Sequence, residues 1–385
     1  MMVKFSVVMP VYNNEIYFPM AVESVEKQNY DNYELIIVDD GSTDKTPIIA
    51  DRLAEKNSHI KVIHQENQWI YKSFNNGISI ADGDYIYILN SDDKLMPGTF
   101  VLFEKKIKEF HPDIIWTKVL AHECDEQQNI IAYDIRNWDQ YVKEEYFFSN
   151  KKEVEEAWAF FIASKLAANQ ANLYRREIMQ SQMFRENIYG ADTIYNISIA
   201  DKIQSALVLE EPIYAHYLYK NKKMNVSVGK YYSYEHNMHN EIYTSYKLLF
   251  ERWKLKKEDY IDLLCKERMS GLTHELKGLQ AINCPFSIEE KLQFALYGCM
   301  DEIVSECVQK NNREELESRI LSGIKELLLK ENIDVNSKMY FIYELLESLL
   351  RYEKNEEDYK KIEHAINHPM NPFHIGKYFY KKLLQ

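Results

Sequence analysis

Hydrophobic positions follow two regimes along the chain. In the first part, short continuous apolar runs alternate with amphipathic stretches. The runs Phe5-Ser-Val-Val-Met-Pro-Val11 and Tyr33-Glu-Leu-Ile-Ile-Val38 predict strands buried on both faces, and residues 60–64, 85–89 and 113–119 predict further strands. Phe18, Ala21, Val22 and Val25 recur at helical spacing over 17–28, and further helices are predicted up to Lys56, over 71–81 and after Pro97. Strands alternating with helices imply a Rossmann-like α/β fold, a mostly parallel sheet with helices on both faces and right-handed crossovers. Beyond Gly229, glycine and proline thin out. Amphipathic runs at 242–253, 260–279, 288–308, 316–329 and 339–352 predict an all-α C-terminal domain. The expected division is an α/β domain over 1–229 and a helical domain over 230–385, consistent with a chain of 385 residues being long for one core.

Composition narrows the partners. A net charge of -13 provides no global basic field for nucleic acid, so any phosphate binding must be local. The five cysteines form no Cys-x-x-Cys pair and leave an odd count, which argues against a disulfide framework or zinc knuckle and fits a reducing cytoplasm. The N-terminus runs directly into a strand without a signal-peptide core, and no apolar stretch reaches bilayer length, so membrane contact is expected to be peripheral at most.

The chemistry gathers where the predicted strands end, the place where open α/β sheets collect ligands. Three polar signals fall there in order: Pro10-Val-Tyr12-Asn13, Asp39-Asp40-Gly41-Ser42 and Asn90-Ser91-Asp92-Asp93. An isolated Asp-Asp pair is more often a turn, but three such signals on one rim describe a pocket able to set carboxylates around a nucleotide and a metal. There is no Gly-x-Gly-x-x-Gly after the first strand and no Gly-x-x-x-x-Gly-Lys-Ser/Thr, which argues against dinucleotide and P-loop sites.

These motifs, with Ile37-Val-Asp-Asp-Gly-Ser-Thr-Asp44, Asn67, Asn75-x-Gly77, Ala81-Asp-Gly-Asp-Tyr85 and Ser91-Asp-Asp93, resemble family 2 glycosyltransferases of the GT-A fold over roughly residues 3 to 228. The resemblance implies a nucleotide-sugar donor, with Pro10, Tyr12 and Asp40 on the nucleoside, Asn13 among the donor-binding residues, Asp92 on the ribose or donor sugar, and Asp93 as direct ligand of a divalent metal, Mn or Mg. An ionised Asp40 is an acceptor only and would suit a uracil imide, hence a UDP-sugar. Asp39 is read either as a site residue or as a turn cap. Trp69 stands where the family has a glycine and Phe74 where it has an arginine. Lys72 is then either the replacement cation or a solvated lysine.

Further along, Asn172-Leu-Tyr-Arg-Arg-Glu-Ile178 resembles the family's strand and helix before its catalytic acid/base, and Phe184-Arg-Glu186 with Tyr189-Gly-Ala-Asp192 resembles the motif that carries that residue. Asp192 is thereby the expected general base of an inverting transfer, with helix N-capping as its alternative. Ala191 replaces the usual neighbouring glutamate. In the closing segment, Lys220 takes an arginine position and Lys222 a histidine position, which would put point charges on the diphosphate and loosen metal dependence. His216 is read as structural. The aromatics Trp138, Tyr141, Tyr146, Phe147, Phe148, Trp158, Phe160 and Phe161 are weighed as core over sugar contacts.

The expectation is an inverting glycosyltransferase acting on a hydroxyl of a surface glycan, lipid-linked oligosaccharide or glycoprotein. A nucleotidyltransferase on a similar sheet and a non-catalytic nucleotide-sugar scaffold are the rivals. The helical domain is expected to dock acceptor, to form an oligomer or to touch a membrane surface, the last through Lys377-Tyr-Phe-Tyr-Lys-Lys-Leu-Leu384.

Overall fold

The computed structural model describes residues 2–125, 127, 129–135, 144–163, 169–219 and 230–287, and beyond these 290, 291, 294, 295, 298, 301–310, 322, 323 and 326. The chain divides into two compact units, Met1–Met224 and Asn225–Gln385.

The first unit is built on β1 (Phe5–Val11), β2 (Tyr33–Asp39), β3 (Ile60–His64) and β4 (Tyr85–Ile88). These pair in parallel in the order β3-β2-β1-β4, with Val7 opposite Leu35 and Phe5 opposite Tyr85. Every residue of β1 and β2 is buried, as continuous apolar runs require of a sheet covered on both faces. Burying each of Leu35, Ile36, Ile37 and Val38 stabilises the fold by roughly 1.5–3 kcal/mol. The helices α1 (Phe18–Glu26), α2 (Thr46–Lys56), α3 (Ile70–Ile80) and α4 (Thr99–Phe110) alternate with these strands, close to where the periodicity puts them. Gly77 lets α3 lie close against the sheet: a Cβ there would sit 2.5 Å from Val8 Cγ1.

The sheet departs from parallel order in its second half. There, β9 (Leu173–Arg175) inserts antiparallel between β4 and β6 (Ile114–Cys124). The long β10 (Ala206–Tyr219) then runs parallel to β6, and β5 (Lys94–Leu95) pairs antiparallel with it at Tyr214 and Ala215. That last pairing ties the Asp92-Asp93 turn to β10. The sheet is completed by β7 (Ile130–Ile135) beside β6 and β8 (Tyr146–Phe148) beside β10. Three further helices, α5 (Lys151–Ala163), α6 (Arg176–Met179) and α7 (Ala191–Ala200), accompany this half. Trp158 and Phe161 on α5 are core residues packed on Trp116, whereas Tyr146 is exposed; Trp138 and Tyr141 lie outside the described residues.

The second unit contains α8 (Glu235–Arg252), α9 (Lys257–Gly278) and α10 (Glu302–Lys310). The runs expected at 316–329 and 339–352, and the Lys377 to Leu384 segment, lie outside the described residues apart from isolated positions. Among the described residues, no helix is long and apolar enough to cross a membrane.

Candidate active site

The ends of β1 and β2 are stitched into one rim. Asp40 N donates to Val11 O at 2.9 Å, while Asn13, at φ +46, accepts from Thr43 N at 2.7 Å and donates its own N–H to Ser42 Oγ at 2.9 Å. Gly41 turns the loop at φ +73, and a Cβ there would meet Asn67 N at 2.7 Å. Asp40 is buried; its Oδ1 accepts from Gln65 Nε2 at 2.7 Å and from Gln68 N at 2.9 Å, leaving Oδ2 without a hydrogen bond among the described residues. Tyr12 is 38% exposed on the same rim, and Pro10 is buried inside β1. Asp39 caps the turn through Ser42 N at 3.1 Å and pairs with His64 Nδ1 at 2.9 Å. His64 Nε2 reaches Asp51 at 3.0 Å, and the two carboxylates, Asp39 foremost, raise the imidazole pKa.

The neighbouring aspartates Asp92 and Asp93 differ in kind. Asp93, expected to ligate a metal directly, is fully buried, and protein donors occupy both of its oxygens. Tyr214 Oη donates to Oδ2 at 2.5 Å, Tyr217 N to Oδ1 at 2.9 Å and Asn90 Nδ2 to Oδ2 at 3.3 Å, while His216 Nδ1 lies 3.1 Å from the carboxylate. Burial, and then the charge of Asp93, push the Tyr214 phenol pKa well up. A carboxylate so occupied fastens the turn to β10; it does not fit an open metal position as it stands. Asp92 is half-buried and is the more accessible carboxylate of the pair. The turn is also held from β1's loop, where Asn14 Nδ2 donates to Ser91 O and Oγ, each at 3.0 Å.

Asp192 lies in the first turn of α7, inside the helix whose N-cap is Gly190, and its Oδ1 accepts from Thr193 N at 2.8 Å. Burial of the carboxyl raises its pKa, the direction a general base requires. The segment leading to it is gripped by α3. Asn75 pairs with Phe184 N and O and donates to Glu186 Oε1 at 3.0 Å, Lys72 Nζ lies 3.2 Å from the same oxygen, and Tyr71 Oη donates to Tyr189 O. Asn75, then Lys72, lower the Glu186 pKa. Lys72 is therefore engaged by Glu186, and no diphosphate contact need be assumed for it. Phe74, at the arginine position, is core, packed on Phe184, which stacks on Tyr195 at 3.9 Å. Trp69, at the glycine position, keeps a glycine-like backbone at φ +77 and ψ 162.

The structure brings Pro10, Tyr12, Asn13, Asp40, Asp92 and Asp93 to the sheet rim, with Asp192 on α7; Lys220 and Lys222 lie outside the described residues. Sequence reasoning missed Gln65, Asn14 and Tyr214, and did not connect His216 with Asp93. Tyr214 and His216 alternate on one face of β10, a period-two signal that was available. Among the described residues no cluster of three or more His, Cys, Asp or Glu could hold a metal ion.

A twisted sheet with this strand order and an acidic turn after its fourth strand defines a GT-A-type glycosyltransferase fold. The crystal structure of S. aureus TarS 1-349 in complex with UDP superposes with a TM-score of 0.57 at 17% identity, covering 93% of this chain and 91% of that one. Residues 6–178, all within the first unit, match the model of Glycosyl transferase family 2. The chain is 27% identical over 232 residues to Glycosyltransferase GlyA of Streptococcus pneumoniae, 59% of this chain and 32% of that protein. It is 22% identical over 191 residues to the GalNAc(5)-diNAcBac-PP-undecaprenol beta-1,3-glucosyltransferase of Campylobacter jejuni, 49% of this chain and 57% of that protein. The matched stretches thus span a third to somewhat over half of these relatives.

Proposed function

We propose that this chain is an inverting transferase moving a hexosyl or N-acetylhexosaminyl unit from a UDP-sugar to a hydroxyl of a glycan. The observation that carries the reading is the pairing of a rim built by Asp40, Tyr12 and Asp92 with a separate carboxylate, Asp192, whose pKa burial raises. Donor-side and base-side carboxylates on different elements are what displacement with inversion needs, since the base must act on the face opposite the leaving diphosphate.

Asp40 Oδ2 and the Tyr12 ring, with Pro10 and Asn13 shaping the loop beneath them, hold the nucleoside. Asp192 takes the proton from the acceptor hydroxyl as the anomeric carbon gains positive charge. In this proposal the metal role moves from Asp93, whose oxygens are occupied, to Asp92. One accessible carboxylate fits Mn or Mg, which completes its shell with phosphate oxygens and water. A bound cation would supply charge stabilisation for the leaving diphosphate, and Lys220 and Lys222 would add to it. The Campylobacter relative's name gives a polyprenyl-diphosphate-linked glycan as its substrate, and we extend that acceptor class to this chain, acting from the cytoplasmic face of a membrane.

The test is incubation with a panel of nucleotide-sugars, with and without EDTA, while nucleoside diphosphate and pyrophosphate are measured. Release of UDP, lost in EDTA and restored by Mn²⁺, supports the reading. Pyrophosphate release would instead indicate nucleotidyl transfer, and no turnover with donor binding intact would indicate a scaffold.

A further inference from the structure

The geometry points to a second saccharide site, separate from the transferase rim and contained within the helical unit: a cavity of about 260 Å³ that takes a neutral sugar ring. It opens between the start of α8 and the end of α9, with Tyr231, Tyr232 and Phe294 on its walls and Glu235, His236 and Glu275 among its polar lining.

The walls are built rather than incidental. Asn283 holds the Tyr231 backbone at two points, accepting from Tyr231 N at 3.0 Å and donating to Tyr231 O at 3.1 Å. Phe286 supports both sides, edge-on to Tyr231 at 5.2 Å and stacked on Phe294 at 4.5 Å. Phe294 nevertheless remains 47% exposed, an aromatic face held in place and left open to a ligand. Aromatic faces of this kind stack on the C–H faces of sugar rings.

The polar lining selects against other ligands. Glu275 accepts from His236 Nδ1 at 2.8 Å and Arg268 Nη1 at 2.9 Å, and the second His236 nitrogen lies 3.4 Å from Asp301. Burial lowers the His236 pKa, but the hydrogen bonds its ring donates to Asp301 and Glu275 outweigh that and push it up to about 9, so the ring is cationic at neutral pH. Arg268 and His236 therefore face Glu275 and Asp301, while Glu235, 3.9 Å from His239, adds a further carboxylate to the lining. That balance disfavours a phosphate or nucleotide, while the cations already beside Glu275 and Asp301 leave little field for a cationic ligand. A purely apolar ligand would desolvate the same groups without replacing their hydrogen bonds. A neutral polyhydroxylated ring meets both requirements, stacking on the walls and exchanging hydrogen bonds with the lining. The volume is at the small end for ligand sites and suits one ring in place of a nucleotide.

The experiment uses the full chain and ligand-observed NMR with neutral trisaccharides of glucose, galactose and N-acetylglucosamine. At least one is expected to bind, Tyr232→Ala should weaken it about ten-fold, the loss of roughly one stacking contact, and Tyr232→Phe should largely retain it. Phe294→Ala, at a half-exposed side chain, serves as the second variant should Tyr232→Ala fail to fold. The inference is overturned if no trisaccharide binds, or if binding survives undiminished in a folded variant at either position. UDP release from the donor, measured on the same preparations, is expected to be unchanged in both variants. Failure of donor turnover with saccharide binding intact would count against the transferase reading alone.

Discussion

Asn75 holds the backbone of Phe184 at two points: its Oδ1 accepts from Phe184 N at 2.8 Å and its Nδ2 donates to Phe184 O at 2.9 Å. A helix in the donor half thereby grips the loop that leads to Asp192. Asn75 is buried, so Asn75→Ala leaves Phe184's N–H and C=O without these partners and should cost about 2–4 kcal/mol. Thermal denaturation reads that loss. If the grip positions the base, turnover at saturating donor should fall further than donor affinity does.

Asp192→Asn separates chemistry from stability. Burial favours the neutral carboxyl in the folded state and raises its pKa, so ionisation costs stability as pH rises from the unfolded-state value through the folded one. At neutral pH the asparagine removes that cost. The variant should bind donor, lose transfer and melt no lower than the parent; undiminished turnover would refute the assignment of the base. In the parent enzyme, kcat/KM should drop as pH falls through the raised pKa.

At Trp69 the backbone adopts φ +77 and ψ 162, a region other residues rarely visit, at an estimated strain of about 1–3 kcal/mol. Trp69→Gly relieves it but forfeits the ring contact with Tyr71 at 5.7 Å and adds freedom to the unfolded chain, so the net change should stay within about 1 kcal/mol. Trp69→Val keeps the strained backbone with a branched side chain and should melt below both.

His64 gives the β2 loop a pH response. Its pKa is raised by Asp39 and Asp51, so its stabilisation is complete below the unfolded-state value and is lost as pH rises through the folded one. The ring is 44% exposed, and solvent screening limits the effect to less than about 1 kcal/mol. His64→Gln should accordingly flatten the melting temperature across the neutral range, measured against the parent in matched buffers.

The continuous apolar runs made β1 and β2 legible, because a strand buried on both faces leaves an unbroken signature; β3, whose Lys61 and His64 are exposed, carries only Ile60, Val62 and Ile63 as its apolar mark. The three-residue β9 falls in the stretch where the family resemblance implies a strand, but its antiparallel place between β4 and β6 is made by long-range pairing, which local patterning does not encode. The same division runs through the site. Asp40, Asp92, Asp93 and Asp192 stood out as carboxylates in strand-end and loop motifs. The difference between Asp92 and Asp93 did not, since it is made by Tyr214 and His216, more than a hundred positions away along the chain.

That difference yields the sharpest test of the site. Asp93 fastens the acidic turn to β10, so Asp93→Ala strands Tyr214 Oη and Tyr217 N in a buried setting and should cost about 3 kcal/mol or more. Asp93→Asn keeps the shape and an acceptor, and should fold with reduced stability. Asp92→Asn changes a half-buried carboxylate and should melt close to the parent, yet lose the response of turnover to added Mn²⁺. The discriminating measurement is metal-dependent UDP release in the two folded asparagine variants. If Asp92→Asn keeps its Mn²⁺ response while Asp93→Asn loses it, the cation belongs on Asp93, and the contacts from Tyr214 and His216 must rearrange when donor binds.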